Sequence, residues 1–220
     1  MRPVLPPILF SILLAACNQT GENKQVEVVR DEVKISYSSC GQSDTVLLFV
    51  HGWCINKEYW QPQVNYFCPK YKVVTIDLPG FGQSGKNRTD WSFDEYTEDI
   101  KAVVEQLKLK NVILIGHSMS GDIILNVSNK YPSLVIGIVG IDNLHEPGSP
   151  FTPEQAKGYS DFFDTLSTGF DRTANNYMKS SLFQPSTDTA VVNRVMNNVF
   201  TADSSIAIQV LKSLSVISQK

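Results

Sequence analysis

The sequence predicts an α/β domain: a mostly parallel sheet flanked by helices and covered by a helical lid. Three observations predict it. Four continuous apolar runs, at residues 45–50, 73–76, 112–115 and 134–141, are rich in Val, Ile and Leu, as parallel strands covered on both faces require. Residues of helical period separate them. After Ile141 the β-rich runs stop, and residues 149–217 hold helical stretches punctuated by Pro150, Pro153, Gly169 and Pro185. Strand–helix alternation of this kind builds a doubly wound sheet, with ligands at the carboxyl ends of its strands.

A chain of 220 residues, 42% hydrophobic and 19% charged, suits one large domain or a domain with a lid and excludes a disordered protein. With 19 Lys+Arg against 22 Asp+Glu the net charge is −3. There is no basic footprint, so nucleic acid is not expected as a partner. Four cysteines are too few for a disulfide scaffold, and no CxxC pair marks a metal site.

The amino terminus reads as an address. Met1-Arg2 gives a minimal positive region and residues 8–16 a short apolar run, below the roughly 20 residues a membrane-spanning helix needs. Leu14-Ala15-Ala16-Cys17 resembles the lipobox of bacterial lipoproteins, in which the Cys17 thiol takes the lipid. The alternative is an ordinary secretory signal with an incidental cysteine. The expected organisation is a signal peptide (1–16), a lipidated cysteine and polar tether (17–24), an α/β core (25–148) and a lid (149–220). The expected location is the cell envelope of a bacterium, on the periplasmic side or the outer membrane, with the lipid anchor as the membrane contact. Export makes Cys40, Cys54 and Cys68 eligible for a disulfide; spacing does not say which two would pair, and unpaired buried thiols remain the alternative.

The core elements follow in order. Residues 26–30 and 32–38 alternate like a half-buried hairpin. Phe93, Tyr96, Ile100, Val103, Val104 and Leu107 form one apolar helical face, with Ser92 and Glu95 as a capping box. Thr152, Pro153 and Gln155 supply a cap, an N1 proline and a capping-box partner for the first lid helix. Residues 204–216 read as a helix closing the lid.

Three loops carry the chemistry. Gly116-His117-Ser118-Met119-Ser120-Gly121 follows a buried strand and opens a helix, the setting of a nucleophile elbow in which a tight turn presents one side chain at a strained backbone position. Ser120 stands where glycine is commonest and is expected to crowd the turn slightly. Val50-His51-Gly52-Trp53 and Asp77-Leu78-Pro79-Gly80-Phe81-Gly82-Gln83-Ser84 each follow another buried strand. With all three loops in order, the chain resembles the α/β-hydrolase superfamily, in the lidded branch of esterases, epoxide hydrolases and haloalkane dehalogenases, from about Val33 to Asp142.

The resemblance implies that Ser118 is the nucleophile and that the backbone N–H groups of Trp53 and Met119 form the oxyanion hole. Attack by Ser118 on a carbonyl, with two amides stabilising the tetrahedral oxyanion, is acyl transfer through an acyl-enzyme. A serine in place of an aspartate argues against dehalogenase and epoxide-hydrolase chemistry and leaves an ester or related acyl bond in a small-molecule substrate. The mechanism implies no metal or organic cofactor. His51 and His117 match positions that are structural in the family. His145 lies just past a strand end, as a pocket residue or a solvated loop residue, and Asp142 sits where some relatives place their acid or plays a structural role. The two could also form a rearranged relay. Lid aromatics Phe151, Tyr159, Phe162, Phe163, Phe170 and Tyr177 suggest an apolar acyl or aromatic group.

The family order is nucleophile, acid, histidine, the last two after further strands. Only 102 residues follow Ser118, and none of the last 75 is histidine. The expectation is a chain that stops before the last two strands, without its general base and weak or inactive alone. The competing expectation is a non-catalytic, small-molecule-binding lipoprotein.

Overall fold

The computed structural model describes residues 26–143 and 152–217; Cys17 and His145 lie outside them. The elements run β1 (Val26–Arg30), β2 (Val33–Cys40), β3 (Val46–Val50), α1 (Gln61–Phe67), β4 (Lys72–Ile76), α2 (Phe93–Gln106), β5 (Val112–His117), α3 (Ser120–Lys130), β6 (Val135–Ile141), α4 (Pro153–Thr168), α5 (Phe170–Tyr177), α6 (Thr189–Thr201) and α7 (Ser204–Ile217). The described strands form one sheet in the order β1-β2-β4-β3-β5-β6. β1–β2 and β2–β4 pair antiparallel, the rest parallel. The hairpin closes through Asp31 and Glu32, with φ of 49° and 66°, the left-handed pair of a two-residue turn whose twist matches its strands.

The unbroken apolar run in β3 is explained by two cores. Val46, Leu48 and Val50 face the larger one, which also takes Tyr96, Ile100 and Val103 from α2 and Ile123, Ile124 and Val127 from α3. Leu47 and Phe49 face the other way, with Trp60, Val73 and Ile115 and the α1 side chains Val64 and Phe67. Cys40 and Cys68 form a disulfide that ties the end of β2 to the residue after α1. Cys54 is free and buried, and burial pushes its thiol well above the usual range, so it stays protonated.

β6 departs from expectation. Its apolar run predicts a strand covered on both faces, yet Ile136 is 62% exposed and Val139 and Ile141 are exposed too. Among the described residues β6 pairs only with β5, which leaves these side chains uncovered. The α2 capping box is also half made. Ser92 accepts from the Glu95 N–H at 3.4 Å, but the Glu95 carboxylate takes Arg30 of β1 at 2.6 Å instead; an ion pair outweighs the second capping bond. The α4 box at Thr152 and Gln155 is complete.

Side chains from helices α4 to α7 line the same cavity as Trp53, Ser118 and Asp142, which follow or end strands β3, β5 and β6. α7 is more than a cover: Ile206, Ala207 and Val210 are buried in the main core. Among the described residues no helix is long and apolar enough to cross a membrane.

Candidate active site

Ser118 occupies the turn between β5 and α3 with φ of 52°, a conformation that costs an L-residue energy and is held only where surroundings over-determine it. The surroundings do so. The Ser118 N–H donates to Ile141 O at 2.9 Å, and its carbonyl accepts from Gly121 N at 2.9 Å. Asn143, just past β6, donates from Nδ2 to Gly116 O at 2.9 Å and to Ser118 O at 3.0 Å. A Cβ on Gly121 would stand 2.4 Å from Asn143 Cγ, so glycine at 121 makes room for this clamp.

Ser120 is fully buried and donates to His51 O at 2.5 Å, joining the elbow to the loop that carries Trp53. His51 is fully buried as well. Its Nδ1 donates to Gly52 O at 2.7 Å and its Nε2 accepts from Leu78 N at 3.0 Å. That arrangement requires the neutral ring, and burial lowers its pKa against the pull of Asp77. His51 therefore stitches the first loop to the loop after β4.

In that third loop Asp77 is the hub. Its carboxylate accepts from Lys57 N at 2.7 Å, Lys57 Nζ at 2.6 Å and Gln83 N at 2.9 Å. Lys57 and Asp77 are 5% and 1% exposed, so this is a buried ion pair. Ser36 Oγ and Gln83 Oε1 complete the ammonium shell at 3.1 and 3.0 Å.

Above Ser118 lies a cavity of about 810 Å³, the size of a small-molecule site. Trp53, Ser118 and Met119 line it, with Phe162, Phe163, Tyr177, Met178 and Val195 from the lid. Thus three of the lid aromatics reach the cavity; Phe170 packs on Trp53 with ring centres 6.0 Å apart. The side chains of Phe151 and Tyr159 lie outside the described residues. Among the described residues neither the Trp53 nor the Met119 backbone N–H has a protein acceptor, and Met119 caps the N-terminus of α3, where the helix field favours negative charge.

His117 and Asp142 also line the cavity. A Cβ on Gly52 would lie 2.6 Å from His117 Nδ1, so the imidazole fills the space left by that glycine. Burial lowers the His117 pKa while Asp142 raises it. Ser118 makes no side-chain hydrogen bond with His51 or His117. Asp142, at the end of β6, has φ of 54°. No group of three or more metal-type side chains is assembled among the described residues.

Sequence reasoning missed three participants. Asn143 carries no motif, since an amide after a strand looks like any loop residue. Arg194 on α6 reaches the cavity from a helix with no chemical signature. The Trp53 indole donates from Nε1 to Ala207 O of α7 at 2.9 Å, a contact 154 residues away in sequence.

A family model described as "alpha/beta hydrolase fold" matches residues 45–187. The chain is 37% identical over 94 residues to a non-heme chloroperoxidase of Burkholderia pyrrocinia, covering 42% of this chain and 34% of that protein. It is 25% identical over 150 residues to a pimeloyl-[acyl-carrier protein] methyl ester esterase of Yersinia enterocolitica, covering 66% and 55%. The chain therefore spans between a third and just over half of these relatives. Among solved structures, an esterase from Exiguobacterium antarcticum superposes with a TM-score of 0.77 at 21% identity, over 87% of this chain and 73% of that one; at that identity it speaks for the fold alone. Sheet, elbow and matched span agree: the chain belongs to the α/β-hydrolase fold family.

Proposed function

We propose that the protein is a serine hydrolase of an ester or related acyl bond in a small molecule, working through an acyl-enzyme. The observation that carries this is Ser118 at φ 52° on a strand–turn–helix junction beneath the cavity. Ser118 attacks the substrate carbonyl, and the N–H groups of Trp53 and Met119 receive the oxyanion. Asn143 holds the turn from behind. The general base is an imidazole from outside the described residues, because His51 is spent on Gly52 and Leu78 and His117 does not reach Ser118 by a hydrogen bond.

The protein is anchored in the cell envelope through lipidated Cys17. A Cys40–Cys68 disulfide is in keeping with an exported, oxidising location.

Labelling by a fluorophosphonate probe tests the assignment. The complete protein is expected to label at Ser118, and Ser118→Ala to abolish it; labelling that persists in the alanine variant refutes the nucleophile. The lack of an imidazole partner for Ser118 within the described residues favours a second reading, a lipoprotein that binds a small molecule without turning it over. A probe-inert protein with saturable ligand binding would select it.

A further inference from the structure

We infer that Arg194 makes the cavity selective for acyl substrates that carry a second, anionic group, such as half-esters of dicarboxylic acids. The inference deepens the hydrolase reading and rests on it. Among the described residues, Arg194 is the one lysine or arginine lining an otherwise largely apolar cavity. It forms no ion pair with any of them, whereas Arg30 and Arg88 are both engaged by the buried Asp99.

The guanidinium is held ready. Its central carbon lies 4.2 Å from the centre of the Tyr59 ring, a stacking arrangement that leaves the edge N–H donors open for a planar carboxylate. Tyr59 is itself fixed, since its hydroxyl accepts from Asn198 Nδ2 at 2.8 Å. Asn198, one turn along α6, also donates to the Arg194 carbonyl at 3.1 Å. Ring, helix and guanidinium are therefore one braced unit in the cavity wall. A carboxylate drawn to Arg194 leaves the rest of an extended ligand to the largely apolar wall that the cavity shares with Ser118.

The test is equilibrium binding by calorimetry, with the complete protein and ligands that cannot be hydrolysed. The methyl ketones 4-oxopentanoate, 6-oxoheptanoate and 8-oxononanoate are compared with their neutral carboxamides, across three lengths because the best reach is set by the cavity. At one or more lengths the acid is expected to bind about tenfold tighter than its amide. In Arg194→Gln that ratio should fall to about one, and in Lys101→Gln, which removes a cation on α2 outside the cavity lining, it should persist. Equal binding of acid and amide at every length overturns the inference, as does a preference that survives Arg194→Gln or disappears equally in Lys101→Gln. Absent preference with Ser118 still labelled by the fluorophosphonate overturns the Arg194 role alone. No binding and no labelling overturn the hydrolase reading and this inference together.

Discussion

Gly121→Ala pits helix propensity against a close contact. In the first turn of an exposed helix, alanine would be favoured over glycine by up to about 1 kcal/mol. Gly121 is buried, and its added Cβ would stand 2.4 Å from Cγ, 2.5 Å from Nδ2 and 2.8 Å from Cβ of Asn143. Asn143 cannot give way cheaply, because its amide holds the Gly116 and Ser118 carbonyls at 2.9 and 3.0 Å. Breaking those two bonds costs roughly 0.5–1.5 kcal/mol each, and overpacking a filled site costs about 1–3 kcal/mol. The clash wins, with a net loss of about 1–3 kcal/mol, or a Tm lowered by roughly 2–12 °C for a domain of this size. Thermal melting followed by circular dichroism reads the first effect, and the rate of fluorophosphonate labelling reads the second, since a displaced Asn143 frees the Ser118 carbonyl. In an Asn143→Gly background, which removes the Cβ as well as the amide, the clash is gone, and Gly121→Ala should become neutral or stabilising. A Tm that rises on Gly121→Ala with Asn143 intact refutes the reasoning.

Two further outcomes follow from buried charge and buried imidazole. Lys57→Met leaves the Asp77 carboxylate buried without its cation and should cost about 3–5 kcal/mol in urea unfolding, with partial recovery in Lys57→Met/Asp77→Asn; strictly additive losses would show that the pair is not coupled. His51 and His117 both have pKa values lowered by burial from the usual 6.5, so their neutral forms stabilise the fold in full above pH 6.5. As pH falls below 6.5 the unfolded chain takes up protons first and each imidazole removes up to about 1.4 kcal/mol per pH unit. Asp99 and Asp122, pushed up by burial, act in the opposite sense, so the comparison is with His117→Asn. Urea midpoints between pH 7.5 and 5.5 should fall less steeply in that variant, and identical slopes would remove His117 from the account.

The elements were legible because their signals are local. A buried parallel strand needs an unbroken apolar run, and residues 45–50 and 112–115 have one; α2 needs a single apolar stripe, which Phe93 to Val104 supply. The elbow was legible because its turn demands small residues around Ser118. What failed was whatever depends on a neighbour distant in sequence. The run at 134–141 does not say which chain segments cover a strand, so the exposure of Ile136 and Val139 among the described residues cannot be read from those residues themselves. Glu95 looked like a capping residue because Arg30, 65 positions away, leaves no trace near it. Ser120 looked like an awkward replacement for glycine because its acceptor, the His51 carbonyl, lies 69 positions upstream.

These long-range bonds explain how a site built from three loops stays in register. Ser120 fastens the elbow to the His51 loop, His51 fastens that loop to Leu78 beyond β4, and Asn143 fastens the elbow to the segment after β6. Each bond is buried or partly buried, where a lost partner leaves an unsatisfied polar group, so the loops favour a single arrangement over many similar ones. The lid joins the same frame through the Trp53 indole, bonded to Ala207 and packed on Phe170. A residue whose backbone N–H faces the reacting carbonyl in the proposed mechanism is thus held by its side chain to α7 and α5. Substitutions in the lid that shift α7 would reach the oxyanion site through this one side chain, without touching any residue of the elbow.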